Sequence, residues 1–507
     1  MQKNFLLCLI ISQSLWAQNP GDNLFLSPTV HTVKIYFSQP GWYDSLIAYK
    51  PLDIKMLGNV EIDGYYIDSV GIQFKGNSSF NVPGKKKSWK IDFNEFVSGQ
   101  KFDGLKAINL NNGFKDPTFL REKITLDFCQ KNGIPAPRCS YANVYVNDTL
   151  WGFYMMVEQV DKTFLKNWFP ENEGNLFKGD PQGSLQWYGS SPSSYYPKYE
   201  LKTNETANDW TDLVHLIDVI NNKPSAQFYD SLESVLNTSN AIKAWAFDNL
   251  FANLDSYRGS GHNYYIYHNL QTNKFEWIEW DVNEAFGNFN MGMSVSQLEN
   301  LSIFYIPSPP SSRPLTNKML QNTIYKTDYI NTLCQFVSTN FDTTYLYRKI
   351  DSLANVIRPY VYADPQKFYT NSQFETNIHS NITVGSFNIP GLKSFILNRR
   401  NSVVSQLAMN GCIMGISELS NTYDFQIYPN PCQSEFYISI PDDFNYSEFQ
   451  FTVNDLMGKE VKSTLIKISD EKRVMVNLGE LSSGVYFYSI SSFENNNVSS
   501  GKLILIK

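Results

Sequence analysis

Cysteine, histidine and charge are all scarce in this chain, and each scarcity closes off a class of function. The 507 residues include 6 cysteines and 5 histidines. No two cysteines are spaced as CxxC and none has zinc-site spacing, so neither a thiol redox motif nor a zinc fold is expected. Five cysteines follow the N-terminal segment: Cys129, Cys139, Cys334, Cys412 and Cys432. An odd, sparse set does not make a disulfide scaffold. One bridge, for example Cys129 with Cys139, and buried free thiols both stay open. Charged residues make up 18% and the net charge is −7, which gives no footing for nucleic acid as a partner. The one dense basic run, Lys85-Lys86-Lys87, reads as the solvated edge of a hairpin. No run of about 18 apolar residues occurs, so no transmembrane segment is expected. There is no GxGxxG loop and no HRD or DFG string, which argues against an ordinary protein kinase.

Hydrophobic residues are 42% and aromatics 15%, enough for a real core and a tilt toward sheets. At the N-terminus Lys3 precedes an apolar run ending at Ile11, then Ser12-Gln13-Ser14-Leu15-Trp16-Ala17-Gln18. That is the pattern of a cleaved secretory signal, residues 1–17. The length predicts more than one domain. A composition shift at 411–422 predicts a linker, separating a large domain at 25–410 from a small one at 423–507.

In the large domain, Val33-Lys34-Ile35-Tyr36-Phe37, Val70-Gly71-Ile72-Gln73-Phe74 and Trp89-Lys90-Ile91-Asp92-Phe93 alternate as strands. Asp116-Pro117 predicts a helix start, with Leu120, Ile124 and Phe128 on the buried face and Arg121 and Glu122 off it. Gly133-Ile134-Pro135 ends that helix. Residues 141–146 and 151–157 read as a hairpin, 179–197 as a loop, 207–254 as mainly helical. Strands at 263–267 and 275–280 follow, then a Pro/Ser-rich loop at 307–314 and helices at 315–410. From Phe425 onward, short strands between turns predict a small β-sandwich.

Three clusters carry chemistry. Lys75-Gly76-Asn77-Ser78-Ser79, with Lys90 downstream, sets lysines beside a small-residue turn that lets backbone N–H groups approach a phosphate. Asp255, with Asn263 eight residues on across a glycine-containing loop, sets a carboxylate and an amide oxygen near one hydroxyl or metal. Asp281 follows the apolar strand Phe275-Glu276-Trp277-Ile278-Glu279-Trp280, a position suited to Mg²⁺, a hard ion that keeps phosphate oxygens in its shell. Taken alone, the lysines read first as hairpin lysines, and the Asp255 and Asp281 clusters equally as an Asx-turn and a structural turn. In order they supply what phosphoryl transfer needs: positioning, cations and a metal ligand.

These residues resemble the CotH family of atypical protein kinases. The matching strings are Lys75-Gly76-Asn77-Ser78-Ser79, Lys87-Ser88-Trp89-Lys90-Ile91, Phe119-Leu120-Arg121-Glu122-Lys123, Gly133-Ile134-Pro135-Ala136-Pro137, Gly152-Phe153-Tyr154, Trp280-Asp281 and Phe286-Gly287. The resemblance spans roughly residues 30–410. It implies an α+β, kinase-like fold that transfers the γ-phosphate of ATP to Ser or Thr of exported or surface proteins with Mg²⁺. It also implies roles: Asp281 and Asn263 as metal ligands, Asp255 as the catalytic-loop carboxylate, Lys90 and Lys75 on the ATP phosphates, Glu122 as the ion-pair partner of Lys90, and Glu158 where the chain passes the adenine. Asn283 stands where many relatives carry a second acid, and Lys75 where arginine is common. The C-terminal strings Tyr428-Pro429-Asn430-Pro431, Val453-Asn454-Asp455-Leu456-Met457-Gly458-Lys459 and Leu481-Ser482-Ser483-Gly484-Val485-Tyr486 resemble the sorting domain of the type IX secretion system. That resemblance implies export through the outer membrane of a Bacteroidota-type bacterium. A surface binding or structural protein on the same fold, and transfer of another nucleotide group, stand as the alternatives.

Overall fold

The computed structural model describes residues 19–27, 29–412, 423 and 425–506, apart from 442–443, 445, 456–458, 469–471 and 492–498. The expected leader and residues 413–422 of the expected linker lie outside the described residues. The chain forms two compact units that divide after Cys412.

The first unit opens with a closed barrel. Strands β1 (Val30–Tyr36), β2 (Met56–Ile62), β3 (Tyr65–Lys75), β4 (Ser88–Asp92), β5 (Ala107–Asn111), β6 (Cys139–Val146) and β7 (Thr149–Glu158) are ordered β1-β2-β3-β4-β5-β7-β6. β1 and β6 pair in parallel, and closure leaves no strand edge exposed. Period two divides each strand between two faces. Val33, Ile35, Ile72, Phe74, Trp89, Ile91, Leu110, Tyr154 and Met156 fill the interior. Helices α1 (Asp22–Phe25) and α2 (Trp42–Tyr49) flank the barrel, and the Trp42 ring stacks on Phe37 at 5.0 Å. The alternate residues of β7, Phe153, Met155 and Val157, belong to a second core shared with the helices. One barrel wall therefore faces outward, onto the rest of the unit.

Helix α3 (Arg121–Lys131) begins four residues later than its sequence predicts. Phe119 sits in the left-handed region at φ 56°, which no helix interior tolerates. Asp116 is not the N-cap, which is Leu120; four residues before it, the Asp116 carboxylate accepts the Thr118 and Arg121 N–H groups and the Arg121 guanidinium at 2.7 Å. The expected off-face pair is buried as well, Arg121 at 0% and Glu122 at 1% exposure, because α3 packs on several sides at once.

The remaining elements of this unit are α4 (Lys162–Trp168), β8 (Leu176–Lys178), β9 (Glu200–Leu201), α5 (Thr211–Asn222), α6 (Ser225–Glu233), α7 (Thr238–Leu250), β10 (Tyr264–Asn269), β11 (Lys274–Glu279), α8 (Val295–Glu299), α9 (Pro314–Gln321), α10 (Thr323–Ser338), α11 (Thr343–Ala363), α12 (Asn371–His379), the unanticipated hairpin β12 (Ile382–Val384) and β13 (Phe387–Ile389), and α13 (Leu392–Ala408). Strands β11-β10-β8-β9 form a second sheet in that order.

One expectation is corrected. The basic run is no solvated edge: Lys86 and Lys87 are buried, Lys86 against the carboxylate of Asp364 and Lys87 against the carbonyl of Val82. The bridge is Cys334–Cys412, joining α10 to the end of the unit, while Cys129 and Cys139 are buried free thiols.

The second unit is an antiparallel sandwich. β14 (Gln426–Tyr428), β15 (Glu435–Ser439) and β18 (Arg473–Asn477) form one sheet; β16 (Glu448–Asn454), β17 (Glu460–Lys467), β19 (Gly484–Ser491) and β20 (Ser499–Leu505) form the other. Phe436, Ile438, Phe449, Phe451, Val453, Ile490 and Leu503 meet between them. The first unit is thus α+β and the second all-β.

Candidate active site

The outward barrel wall carries polar residues in register. Gln73 pairs with Lys90, Lys90 with Asn109, Asn109 with Val157, and Asn111 with Met155. Cross-strand partners share a face, so Lys90, Asn109 and Asn111 lie on the side away from the barrel interior. Lys75 shares it, two residues beyond Gln73 on β3.

Lys75 donates to Asn111 Oδ1 at 3.1 Å, and the Asn111 amide donates to both oxygens of Glu122 at 3.0 and 2.9 Å. One asparagine thus links lysine to glutamate. Burial pushes the Lys75 ammonium down to about 8, against the pull of Asp281 and Glu122. Burial and then the charge of Asp281 push Glu122 up to about 8, against the Asn111 hydrogen bonds and Lys75. The Lys75 ammonium also lies 5.4 Å from the centre of the Trp280 ring.

Asp281 enters from the end of β11. The strand is anchored at its exit, where the Glu279 N–H donates to the Pro135 carbonyl at 2.9 Å. Beyond it Asp281 takes a left-handed conformation at φ 55°, as do Asn263 at 59°, Phe286 at 61° and Lys115 at 60°. Such conformations cost about 1 kcal/mol or more each and persist where the surroundings dictate them. Phe286 supplies part of that constraint, its buried ring wedged against Phe251 and Phe395 at 5.1 and 6.1 Å. Burial raises the Asp281 carboxyl above its ordinary range, opposed by Lys75, with Asp255 adding to the rise.

Asp255 lies in the loop between α7 and β10. Its Oδ1 accepts from His262 Nε2 at 2.8 Å and Ser260 Oγ at 3.3 Å; the Asn263 amide donates to its carbonyl at 2.9 Å and to Oδ2 at 3.1 Å. Burial opposes the charge on His262, yet the Asp255 hydrogen bond and charge raise it above its ordinary value. The loop is stapled from beneath by buried Arg258, which donates to the carbonyls of Trp245 and Tyr305 and to the Tyr329 hydroxyl. Gly259 is required here: a Cβ would sit 1.8 Å from the Leu254 carbonyl oxygen.

The expected residues are therefore not all together. Glu122 is linked through Asn111 to Lys75 rather than to Lys90, and no ion pair joins either lysine to it. Lys90 lies further out along the same wall, its charge disfavoured by burial and by Lys55, with Asp92, Lys202 and Asp53 also near. Lys202 in turn lines a basin of about 300 Å³ with Lys106, Asp161 and Lys162. Glu158 is turned away from this wall. It follows Tyr154 and Met156 on the interior face, and its carboxylate is clasped by Arg138 at 2.6 and 3.0 Å. Asn283 points elsewhere, its amide toward the Phe114 carbonyl at 3.4 Å.

Sequence reasoning missed four participants. Asn111 was visible only as a polar residue in an apolar strand. Lys178 on β8 neighbours Asp281; burial works against its charge, but Tyr265, Asp180 and Glu200 hold it protonated above its ordinary value. Lys115 and Glu284 form an ion pair at 2.8 Å beside Asp255 and Asp281.

Among the described residues no three His, Cys, Asp or Glu side chains converge on one point. The candidate donors are oxygens: the Asp281 carboxylate, with the Asp255 carboxylate near it, and the Asn263 amide. That suits Mg²⁺, which takes few protein ligands and completes its shell with phosphate and water.

Comparison with known proteins gives the same region a lineage. Residues 72–403 match the family described as CotH kinase protein. The chain belongs to that family. Inner spore coat protein H of Bacillus subtilis (strain 168) is 28% identical over 287 residues, covering 56% of this chain and 75% of the relative. Invasin CotH2 of Rhizopus delemar is 21% identical over 323 residues, covering 60% of this chain and 52% of the relative. The CotH region thus takes in β4 through most of α13, with both Asp255 and Asp281. Residues 426–507 match the secretion system C-terminal sorting domain. No described helix is long and apolar enough to cross a membrane.

Proposed function

We propose that this CotH-family protein is an exported phosphotransferase that moves the γ-phosphate of ATP to a serine or threonine of another exported or surface protein. The observation that carries the reading is the hydrogen-bonded relay of Lys75, Asn111 and Glu122, with the Asp281 charge acting on both its ends and Asp255 held by His262 and Asn263 nearby. Lys75 offers a point charge to the phosphates. Asp255 accepts the proton of the substrate hydroxyl as its oxygen bonds to the γ-phosphorus and the bond to the β-phosphate oxygen breaks, releasing ADP. His262 and Asn263 keep that carboxylate oriented. Mg²⁺, held by Asp281 with Asn263 as its second oxygen donor, would neutralise phosphate charge when bound. Lys90, on the same wall as Lys75, is assigned with it to the ATP phosphates. The sorting domain supports delivery by the type IX secretion machinery, after a leader directs entry to the periplasm.

The test is incubation of the full chain with Mg²⁺ and γ-labelled ATP beside Asp281→Ala. Label on the protein or on an added protein is expected, falling by about 10²–10³ in the variant. Absence of both nucleotide binding and label in the unaltered chain would replace this reading with a surface binding module. Binding without γ-phosphate transfer would point to another nucleotide group as the one transferred.

A further inference from the structure

Lys86 is the most buried of the three consecutive lysines, at 1% exposure, and its ammonium lies 2.5 Å from Asp364 Oδ2, a carboxylate with no exposed surface. The rings of Phe119 and Tyr154 close over it with centres at 4.7 and 5.1 Å. Asp364 caps the C-terminus of α11. The same carboxylate accepts the Phe153 N–H of β7 at 3.1 Å and the Gln366 N–H at 2.8 Å, and Gln366 donates on to the Trp151 carbonyl. Gly152 makes this approach possible: a Cβ there would sit 2.9 Å from Asp364 Oδ1. An isolated buried ion pair adds little stability over apolar residues of the same size. What this one does is join a barrel loop to a distant helix at a fixed point.

That point lies close to the site. The Asn112 amide donates to the Lys86 carbonyl at 2.9 Å and to the Ser79 carbonyl at 3.3 Å, and the Asn112 N–H donates to Ser88 Oγ at 3.1 Å. Asn112 therefore stitches both ends of the loop between β3 and β4 to the end of β5. Its neighbour is Asn111, the bridge between Lys75 and Glu122.

We propose that Lys86 and Asp364 form a latch between the barrel and the helical part, and that through Asn112 the latch fixes Asn111 and so sets the Lys75–Glu122 geometry. Both are positioning residues, remote from the reacting atoms. The activity readout rests on the phosphotransfer reading; the exchange readout does not.

The test compares the full chain with Lys86→Met/Asp364→Asn, a neutral pair of similar shape that leaves no unpaired buried charge. Melting identifies the folded variant. Its kcat is expected to fall about tenfold with the nucleotide KM within about threefold, since misplacement acts on the transition state more than on binding. Amide exchange at residues 75–88 and 109–112 is expected to rise about tenfold while that of β10 and β11 is unchanged. A folded variant with unchanged kcat and unchanged exchange would overturn the latch. Should the unaltered chain transfer no phosphate, the phosphotransfer reading fails separately. Exchange then decides the latch: a rise at 75–88 and 109–112 supports it, and no rise overturns it. Should the double variant not fold, Lys86→Met alone, which keeps both Asp364 oxygens as acceptors for Phe153 and Gln366, supplies the same measurements.

Discussion

Glu284 shows what burial does to a single carboxylate at this site. Burial pushes it from the ordinary 4.5 up to about 7, against the Lys115 ion pair and with the charge of Asp255 adding to the rise. Between those two values the folded chain binds more protons at Glu284 than the unfolded chain does. Its contribution to stability is full below about pH 4.5 and is lost as pH rises through about 7, a decline of up to about 3 kcal/mol. Denaturant unfolding from pH 4 to 8 is expected to show a decline to which other buried carboxylates such as Glu122 also contribute, and Glu284→Gln to lessen it by up to about 3 kcal/mol. A variant that keeps the same slope would place the titration elsewhere. Such groups were hard to see in the sequence, where Glu284 was one polar residue among several near Asp281. Its neighbours come from residues 115 and 255, brought together only by folding.

Elements transmit order to the site through a few buried side chains. Arg399, near the middle of α13, is fully buried and donates to the carbonyls of Leu301 and Asn249 at 2.6 and 3.1 Å and to Asn249 Oδ1 at 2.8 Å. It thereby ties the last helix to α7, which leads into the Asp255 loop. Arg399→Leu is expected to cost about 3 kcal/mol or more, because several buried acceptors lose their donor at once. Equilibrium unfolding measures this; a loss below about 1 kcal/mol would show that water or neighbours replace the guanidinium. Strands were the more legible elements, since a two-residue period survives any partner. The start of α3 was not, because the left-handed Phe119 that delays it is imposed by packing rather than by the Asp116-Pro117 pair.

At the scale of the molecule, each unit has a core of its own, the sandwich core belonging wholly to residues after 412. A chain ending at Cys412 is expected to keep the melting temperature of the larger unit within about 2 °C, since independent domains stabilise themselves. On the proposed phosphotransfer reading, its Mg-ATP affinity should likewise stay within about twofold. A large drop in either would show that the sandwich supports the larger unit.

The strands of the barrel, the split into an α+β unit and a sandwich, and the clusters around Lys75, Asp255 and Asp281 as candidates are readable from the chain alone. Periodicity, turn residues and short motifs are local, and these features depend on local signals. Which lysine meets Glu122, which face Glu158 takes, that Lys86 is buried, and that Cys334 finds Cys412 were decided by tertiary structure. Each depends on where the pleat turns a side chain or on a partner distant in sequence, 278 residues for Lys86 with Asp364 and 78 for the disulfide. Packing brings such residues together, and no local pattern encodes which of them will meet.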